Sequence, residues 1–218
     1  MAAIKSFIML TRRPDLSQEA FSRHWREIHG PLAAGMPEVW KYSRRYVQNH
    51  LVRPLFQNGP AGEFSGVAES WQRSRADGGD FLDEPRYMQV LRPDELKFLD
   101  LAACAVLLTE ERVALEGPEA AVKLLGFVND AAAAALAAVD TARRRVENRV
   151  LKDRGRSLQS TAASVGCDLC VELWFDSLAD AERALGDLQA GLAAAGPGSI
   201  YLVATHEFHP HGEAARAV

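Results

Sequence analysis

The stretch from Phe21 to Pro31, F-S-R-H-W-R-E-I-H-G-P, concentrates more potential chemistry than any other part of the chain. Two histidines, His24 and His29, lie on either side of Trp25 in this stretch. Imidazole titrates near neutral pH, so the two side chains could act as general acid and general base. The alternative is structural: His29 would bond a carbonyl at a helix end, and His24 would fill an edge of the core.

A helix that begins near Ser17, a suitable N-cap, is predicted to position these side chains. Its apolar stripe repeats at spacings of four and three residues and consists of Phe21, Trp25 and Ile28. The two histidines flank this stripe, so they should border both the core and a cavity or solvent. Gly30 predicts a left-handed cap, and Pro31 predicts the end of the helix.

A strand is predicted over residues 41–52, with polar and aromatic side chains on one face. Alternation places on that face Trp40, Tyr42, Arg44, Tyr46, Gln48 and His50. Such a face suits a partly wet pocket, in which Tyr42, Tyr46 and His50 could bind a substrate and orient a phenol or enol oxygen. The alternative is amphipathic packing with polar tips that reach water. Asn49 should lie on the opposite face.

Two glutamates, Glu69 and Glu172, lie inside otherwise apolar predicted strands. Burying a carboxylate is costly unless it is paired, so each should have a partner or a raised pKa. Glu69 is therefore a candidate substrate-binding or acidic group. Because both halves of the chain carry such a glutamate, a structural pair at the junction of two sheets is favoured, with Arg44 or Arg145 as partner.

The predicted elements follow one order twice, β-α-β-β-α-β. Strands are predicted at residues 4–11, 41–52, 64–72, 102–109, 121–128, 145–154, 167–175 and 199–206. After the first helix, further helices are predicted at 81–90, 93–100, 130–145 and 177–195, with Arg143, Arg144 and Arg145 as a solvated helix end. Three short segments recur in the same order, the clearest being V-A-E-S-W at residues 67–71 and C-V-E-L-W at residues 170–174.

A single copy has strands that are apolar on both faces, and helices can cover only one face of its sheet. A second sheet must cover the other face. The predicted fold is therefore α+β: two fused ferredoxin-like βαββαβ repeats, residues 1–113 and 114–218, whose antiparallel sheets pack face to face as a pseudo-dimeric α+β barrel. Where the first repeat has its histidines, the second has an alanine-rich stretch, which predicts one functional cavity, in the first half.

These residues resemble the EthD family of the dimeric α+β barrel superfamily. The resemblance rests on the pattern from Phe21 through His24, Trp25 and His29 to Leu32, on the segment R-Y-V-Q-N-H at residues 45–50, and on Glu69. Family members usually have one copy and pair as homodimers, so a fused chain implies an internal pseudo-dimer, with further homodimerisation left open. The resemblance implies relatives that decarboxylate or dehydrate polyketide-derived aromatics, within a superfamily that also includes cyclases, lactone isomerases, cofactor-free oxygenases and haem proteins.

Composition and cysteine usage limit the classes of protein to which the chain could belong. The formal net charge of −4 and the absence of a basic stripe give no sign of nucleic-acid binding. No run approaches the length of a membrane span, and three cysteines argue against a disulfide framework, so a cytoplasmic protein is predicted. The pair Cys167 and Cys170 is not expected to bind metal, and the tail histidines, His206, His209 and His211, are read as an exposed end.

The leading hypothesis is an enzyme without metal or organic cofactor that performs acid-base chemistry on a small aromatic or polyketide-like molecule. Decarboxylation, dehydration or cyclisation would suit it, with His24 as first candidate acid or base and His29 as second. Trp25, Tyr42 and Tyr46 would shape the pocket. The alternatives are a non-catalytic binder of an apolar metabolite and a cofactor-free monooxygenase.

Overall fold

The computed structural model describes residues 3–58, 64–151 and 166–210. Eight antiparallel strands form a closed barrel in the order β1-β3-β2-β8-β5-β7-β6-β4. Their bounds are β1 Ala3–Leu10, β2 Ser43–Asn58, β3 Gly66–Gln72, β4 Ala105–Leu115, β5 Val122–Val128, β6 Arg144–Val150, β7 Leu169–Phe175 and β8 Gly198–Phe208. The fold is thus a mixed α/β fold built on an antiparallel eight-stranded barrel, and this part of the prediction is confirmed.

Each half of the chain contributes four neighbouring strands to the ring, β4-β1-β3-β2 from the first and β8-β5-β7-β6 from the second. Read by position within each half, both runs have the same order. Backbone pairing of β2 with β8 and of β4 with β6 joins the halves on both sides. The division into two repeats at residue 113 stays a prediction.

The helices lie outside the barrel. In the first half they are α1 Gln18–His24, α2 Gly30–Ala34, α3 Pro37–Tyr42, α4 Asp77–Leu82 and α5 Arg92–Phe98; in the second they are α6 Asp130–Leu136 and α7 Leu178–Ala194. A π-helical turn, Trp25–His29, joins α1 to α2, and a second, Tyr87–Leu91, leads into α5. No helix in the described ranges is long and apolar enough to cross a membrane.

Apolar residues fill the barrel and also the spaces beneath the helices. Phe7, Met9, Val67 and Phe127 belong to the interior cluster. Outside, α6 and α7 pack over the second half's strands, and the helices of the first half pack over the other strands. Every residue of β7 is buried, which explains why its sequence lacks a polar face.

Several predicted boundaries are wrong for identifiable reasons. The β2 strand begins at Ser43 and runs to Asn58, so Trp40 and Tyr42 belong to α3 instead. Pro54, which lies beyond the predicted end of this strand at residue 52, is accommodated where the register of β2 against β8 shifts.

In the second half, the helix predicted to reach residue 145 ends at Leu136. Arg144 and Arg145 lie on β6, so the arginine run is not a helix end.

The predicted helix end at Gly30 is also wrong. Gly30 has φ −58° and continues directly into α2, with Pro31 in the first turn of that helix. The π-helical turn before it widens the helix by one residue. Because of that shift, Ile28 is 51% exposed, and His29 takes the buried position that the spacing assigned to Ile28.

Candidate functional site

A cavity of about 170 Å³ lies between the outer face of the first-half strands and the helices α2 to α5 with the two π-helical turns. All of its lining residues fall between positions 6 and 108. Its floor is formed by outward-facing side chains of β1, β3 and β4, and its roof by helices and the two π-helical turns. The prediction of a cavity in the first half, between helix and sheet, agrees with this position.

Both predicted histidines bind one carboxylate, that of Asp94 on α5. The Nε2 atom of His24 lies 3.1 Å from Asp94 Oδ1, and the Nδ1 atom of His29 lies 3.1 Å from Asp94 Oδ2. In a regular α-helix, two residues five positions apart point about 140° away from each other. The π-helical turn between them reduces that angle, so both rings reach the same carboxylate.

Only one of the two histidines reaches the cavity. His29 is 8% exposed and lines it. His24 does not line it; its ring stacks on Phe98, with ring centroids 4.8 Å apart. Neither imidazole is turned outward into bulk solvent, because the side chains are only 19% and 10% exposed.

The charge state of Asp94 decides the tautomer of His29. Burial acts to raise the pKa of Asp94, but the hydrogen bonds and charges of His29 and His24 outweigh it and lower that pKa to about 2. An ionised carboxylate can only accept hydrogen bonds, so Nδ1 of His29 carries the proton. Nε2 of a neutral His29 is then an unprotonated acceptor.

The low pKa of Asp94 predicts a pH dependence of stability. Its folded-state pKa lies below the ordinary 3.8, so its contribution is present above pH 3.8 and is lost as the pH falls toward 2. Urea unfolding of the native protein and of Asp94→Asn should therefore give free energies that differ at pH 6 and converge toward pH 2. A difference that stays constant over this range would contradict the ion pairing.

A second carboxyl group on α5, Glu95, lines the same cavity. Burial raises the pKa of Glu95, against the opposing influence of His29 and Arg92. The hydroxyl of Tyr87 donates a hydrogen bond to Glu95 Oε2 over 2.9 Å. Neither Asp94 nor Glu95 is among the residues predicted from the sequence. A usable signal was present, since Glu95 sits four residues after Leu91 and three before Phe98, on the apolar stripe of its helix.

A chain of hydrogen bonds fixes the hydroxyl group of Tyr46, which also lines the cavity. The amide nitrogen of Gln48 donates to Tyr46 Oη over 3.1 Å and to the Trp25 carbonyl over 3.0 Å. His50 bonds Gln48 Oε1 through Nε2 and Ser22 Oγ through Nδ1. Burial raises the pKa of Tyr46 to about 12, although hydrogen bonds from Gln48 and Trp25 oppose it. Tyr46 is therefore a neutral phenol whose oxygen already accepts.

His50 supports this chain and does not line the cavity. Burial, together with the nearby His206 and Arg26, lowers the pKa of His50 to about 3, so its ring stays neutral at physiological pH. Both of its nitrogens are engaged by protein groups. His50 therefore reaches the cavity only indirectly: it bonds Gln48, and Gln48 bonds the Tyr46 hydroxyl.

Trp25 lines the cavity from the π-helical turn, and Tyr42 lines it from the end of α3 instead of from the face of a strand. Trp25 is 1% exposed, and its ring lies so close to Gly66 that a Cβ atom there would be 2.4 Å from Cζ3. Tyr42 is the last residue of α3. Its hydroxyl donates a hydrogen bond to Glu84 Oε1 over 2.6 Å, so this proton is already engaged within the protein.

Glu69 is not at the cavity: it points into the barrel and is fully buried. Its partners are Lys5, at 2.9 Å, and Lys123, at 2.7 Å, and both lysines also pair with Glu172. The predicted arginine partners are wrong. Arg44 is exposed, and Arg145 bonds the carbonyl of Ala137 on the outside.

Asn49 faces the same interior, as alternation predicted, and donates to Glu69 over 2.8 Å.

The remaining candidate ligands stay apart. Within the described ranges, no three histidine, cysteine or acidic side chains are grouped so as to hold a metal ion. His206 is not at an exposed end: it lies on β8, half-buried, with its ring 5.2 Å from that of His50. His209 is exposed as predicted, and His211 falls outside the described residues.

Comparison with protein families gives a match in the first half of the chain. Residues 13–102 match the EthD domain, and this segment contains the π-helical turn, Tyr46 and Asp94. The match covers less than half of the 218 residues. No curated protein matches the sequence.

Solved structures of very low sequence identity share the whole fold. An anthrone oxidase-like protein is 15% identical with a TM-score of 0.54, and the alignment covers 100% of this chain and 98% of that one. A candidate monooxygenase from Lactobacillus acidophilus is 8% identical with a TM-score of 0.51, over 96% and 97% of the two chains. Another from Fusobacterium nucleatum is 3% identical with a TM-score of 0.54, over 100% and 99%. The chain therefore shares its overall fold with these structures and matches the EthD domain in its first half.

Proposed function

We propose that the protein is a cofactor-independent enzyme that moves a proton on a small aromatic molecule bound in the first-half cavity. One observation carries the proposal: His29 lines the cavity while its Nδ1 is held by an ionised Asp94. An imidazole oriented by a buried carboxylate is a recurrent general base, since the carboxylate fixes the tautomer and stabilises the imidazolium that forms.

The size and lining of the cavity favour a ligand of one or two rings. An apolar cavity of roughly 150 Å³ holds benzene, so about 170 Å³ holds one aromatic ring and leaves limited room for a second. Apolar and aromatic side chains, among them Trp25, Phe98 and Leu108, form much of the lining. The EthD match and the name of the anthrone oxidase-like neighbour are consistent with an aromatic, polyketide-like substrate.

The chemistry can be assigned to named atoms. Nε2 of His29 would take a proton from a carbon acid or a phenol of the ligand. The Tyr46 hydroxyl would donate a hydrogen bond to the ligand oxygen on which negative charge develops, because its own oxygen already accepts from Gln48. The imidazolium formed in that step would return the same proton to the product, so that His29 ends the cycle neutral. Glu95, whose pKa is raised by burial, lines the same cavity. Decarboxylation, dehydration and cyclisation all fit this sequence of steps.

We also propose that the second half is a degenerate copy of the first. The two halves have the same strand order, and each carries a lysine, a glutamate, an asparagine and a tryptophan at corresponding interior or rim positions. The corresponding pairs are Lys5 and Lys123, Glu69 and Glu172, Asn49 and Asn148, and Trp71 and Trp174. The pairing found between subunits in the family would then be internal to this chain.

A cofactor-free monooxygenase is the second candidate. The names of three structural neighbours, an anthrone oxidase-like protein and two candidate monooxygenases, favour it. Both candidates share the first step, because an electron-rich carbanion or phenolate is also the species that would react with oxygen. They differ in one measurable quantity, which is oxygen consumption.

The test is a panel of one-ring and two-ring hydroxyarenes and their carboxylic acids, followed by mass spectrometry and an oxygen electrode. Tyr46→Phe should lower kcat by about 10²–10³-fold while affinity falls little, because the lost hydrogen bond strengthens in the transition state. Tyr42→Phe is the matched control, since the Tyr42 hydroxyl is held by Glu84, and should keep most of the activity. Binding without turnover of any compound would identify a binder instead.

A further inference from the structure

One end of the cavity is polar in a way that the proposed chemistry does not use. Ser6 on β1 pairs with Ser70 on β3, and Gln72 on β3 pairs with Ser43 on β2; all four residues line the cavity. The next outward-facing pair along these strands, Ile8 and Ala68, is apolar. The floor therefore changes from apolar to polar along its length, and Gln72 lies about 13 Å along β3 from Ala68.

The hydrogen bonds at this polar end are incomplete. The side-chain amide of Gln72 donates to Ser6 Oγ over 2.6 Å, but its carbonyl oxygen, Oε1, is buried and accepts no hydrogen bond. Ser70 donates to Ser43 over 2.9 Å, and Ser43 donates onward to the carbonyl of Arg45 over 2.8 Å. Within the described part of the chain, the Ser6 hydroxyl proton has no acceptor at bonding distance. The polar end thus retains one buried acceptor and one donor.

The charged side chains around this end already make hydrogen bonds within the protein. Arg75, which also lines the cavity, lies 3.1 Å from Glu110 Oε1. Asp77 accepts from the backbone nitrogens of Arg73 and Ser74 and from the Ser74 hydroxyl. A carboxylate ligand could not supply the donor that Gln72 Oε1 lacks, and an ammonium could not accept a hydrogen bond from the Ser6 hydroxyl. A neutral group that both donates and accepts, namely a hydroxyl, matches what remains.

We propose that Gln72, with Ser6, binds a second hydroxyl group of the ligand and selects dihydroxylated one-ring or two-ring aromatics over monohydroxylated or O-methylated ones. One hydroxyl would lie at His29 and Tyr46, and the other at the polar end. The inference rests on the proposed function, because it takes the ligand of the His29 cavity to be aromatic. A buried acceptor left unpaired is costly, which is why such a group discriminates against analogues that cannot donate to it.

The experiment is a calorimetric titration of the native protein with three probes: 2,6-dihydroxynaphthalene, 2-naphthol and 6-methoxy-2-naphthol. The diol should bind about tenfold more tightly than either of the others, as expected for one well-placed hydrogen bond. In Gln72→Met, which keeps the length of the side chain but cannot accept, this preference should disappear. Ser6→Ala should reduce it severalfold, and this second variant decides the matter if Gln72→Met does not fold.

Equal affinities of the native protein for the three probes would overturn the proposal, as would failure to bind any of them. A diol preference that persists in both variants would also overturn it, because the selectivity would then come from elsewhere. The readout separates this inference from the proposed enzyme, since binding needs no turnover. A diol preference without turnover of any panel compound would contradict the proposed enzyme and support the polar subsite. Turnover without a diol preference would support the enzyme and contradict the polar subsite.

Discussion

Replacing His29 by asparagine is expected to lower kcat by about 10²–10⁴-fold, the usual contribution of a positioned acid or base. The asparagine side-chain nitrogen lies close to where Nδ1 of the imidazole was, so it can still donate to Asp94 Oδ2. The substitution therefore preserves the buried carboxylate contact and removes only the nitrogen available to the ligand. Steady-state kinetics on the best substrate of the panel, together with urea unfolding, measure both effects.

The matched control is His24→Gln. His24 contacts Asp94 through Nε2, and the amide nitrogen of glutamine can reach a similar position. Because His24 does not line the cavity, this variant should lose less than about tenfold in kcat. Equal losses in the two variants would show that the Asp94 network acts through structure alone. A full rate in His29→Asn would remove His29 from the chemistry.

The sequence was sufficient to find the chemical residues of the first helix, but not their geometry. Two histidines beside a tryptophan predict a site because the residue types are informative by themselves. Their shared partner, Asp94, is 65 positions away from His29, and no local pattern connects them. The π-helical turn that brings them together depends on tertiary packing, since Gly30 has no Cβ and the Phe208 ring lies against it.

The barrel was predictable because strands buried on both faces leave few architectures open. All eight strands are predicted from the sequence, although several ends differ from the structure, as in β2 and β4. Pro54 and the polar residues near Asn58 are typical of a loop, but there the strand continues because β8 pairs with it along its whole length. Conversely, Tyr42 matches the alternation of β2 by coincidence and belongs to α3.

The interior lysines are the clearest residues missing from the predicted partners of the two glutamates. Lys5 and Lys123 each stand alone in an apolar strand, which is the pattern that singled out the two glutamates. Taken together, two isolated lysines and two isolated glutamates would have indicated a buried neutral cluster. The predicted partners, Arg44 and Arg145, lie on the outer side of their strands.

That cluster leads to the largest expected effect on stability. Lys5→Met should lower the free energy of unfolding by about 3–5 kcal/mol at pH 7, because it leaves an uncompensated negative charge inside the barrel. The ammonium of Lys5 is fully buried, pairs with both Glu69 and Glu172, and lies 4.0 Å from the centre of the Trp71 ring. Chemical denaturation measures the loss.

A double variant separates charge from packing. Adding Glu172→Gln to Lys5→Met restores a neutral interior, so the combined loss should be smaller than the sum of the single losses by about 1–3 kcal/mol.

The pH dependence of this coupling follows from the two pKa shifts. Burial acts to raise the pKa of Glu172, but Lys123 and Lys5 outweigh it and hold that pKa below its usual value. Burial acts to lower the pKa of Lys5, but Glu172 and Glu69 outweigh it and raise that pKa. The contribution of Glu172 is present above pH 4.5 and is lost as the pH falls below it; that of Lys5 is present below pH 10.5 and is lost only as the pH rises through its higher folded-state value. The coupling should therefore be constant from pH 6 to 9. Strictly additive losses would show that the two halves are held together by backbone pairing and apolar packing, without a contribution from these charges.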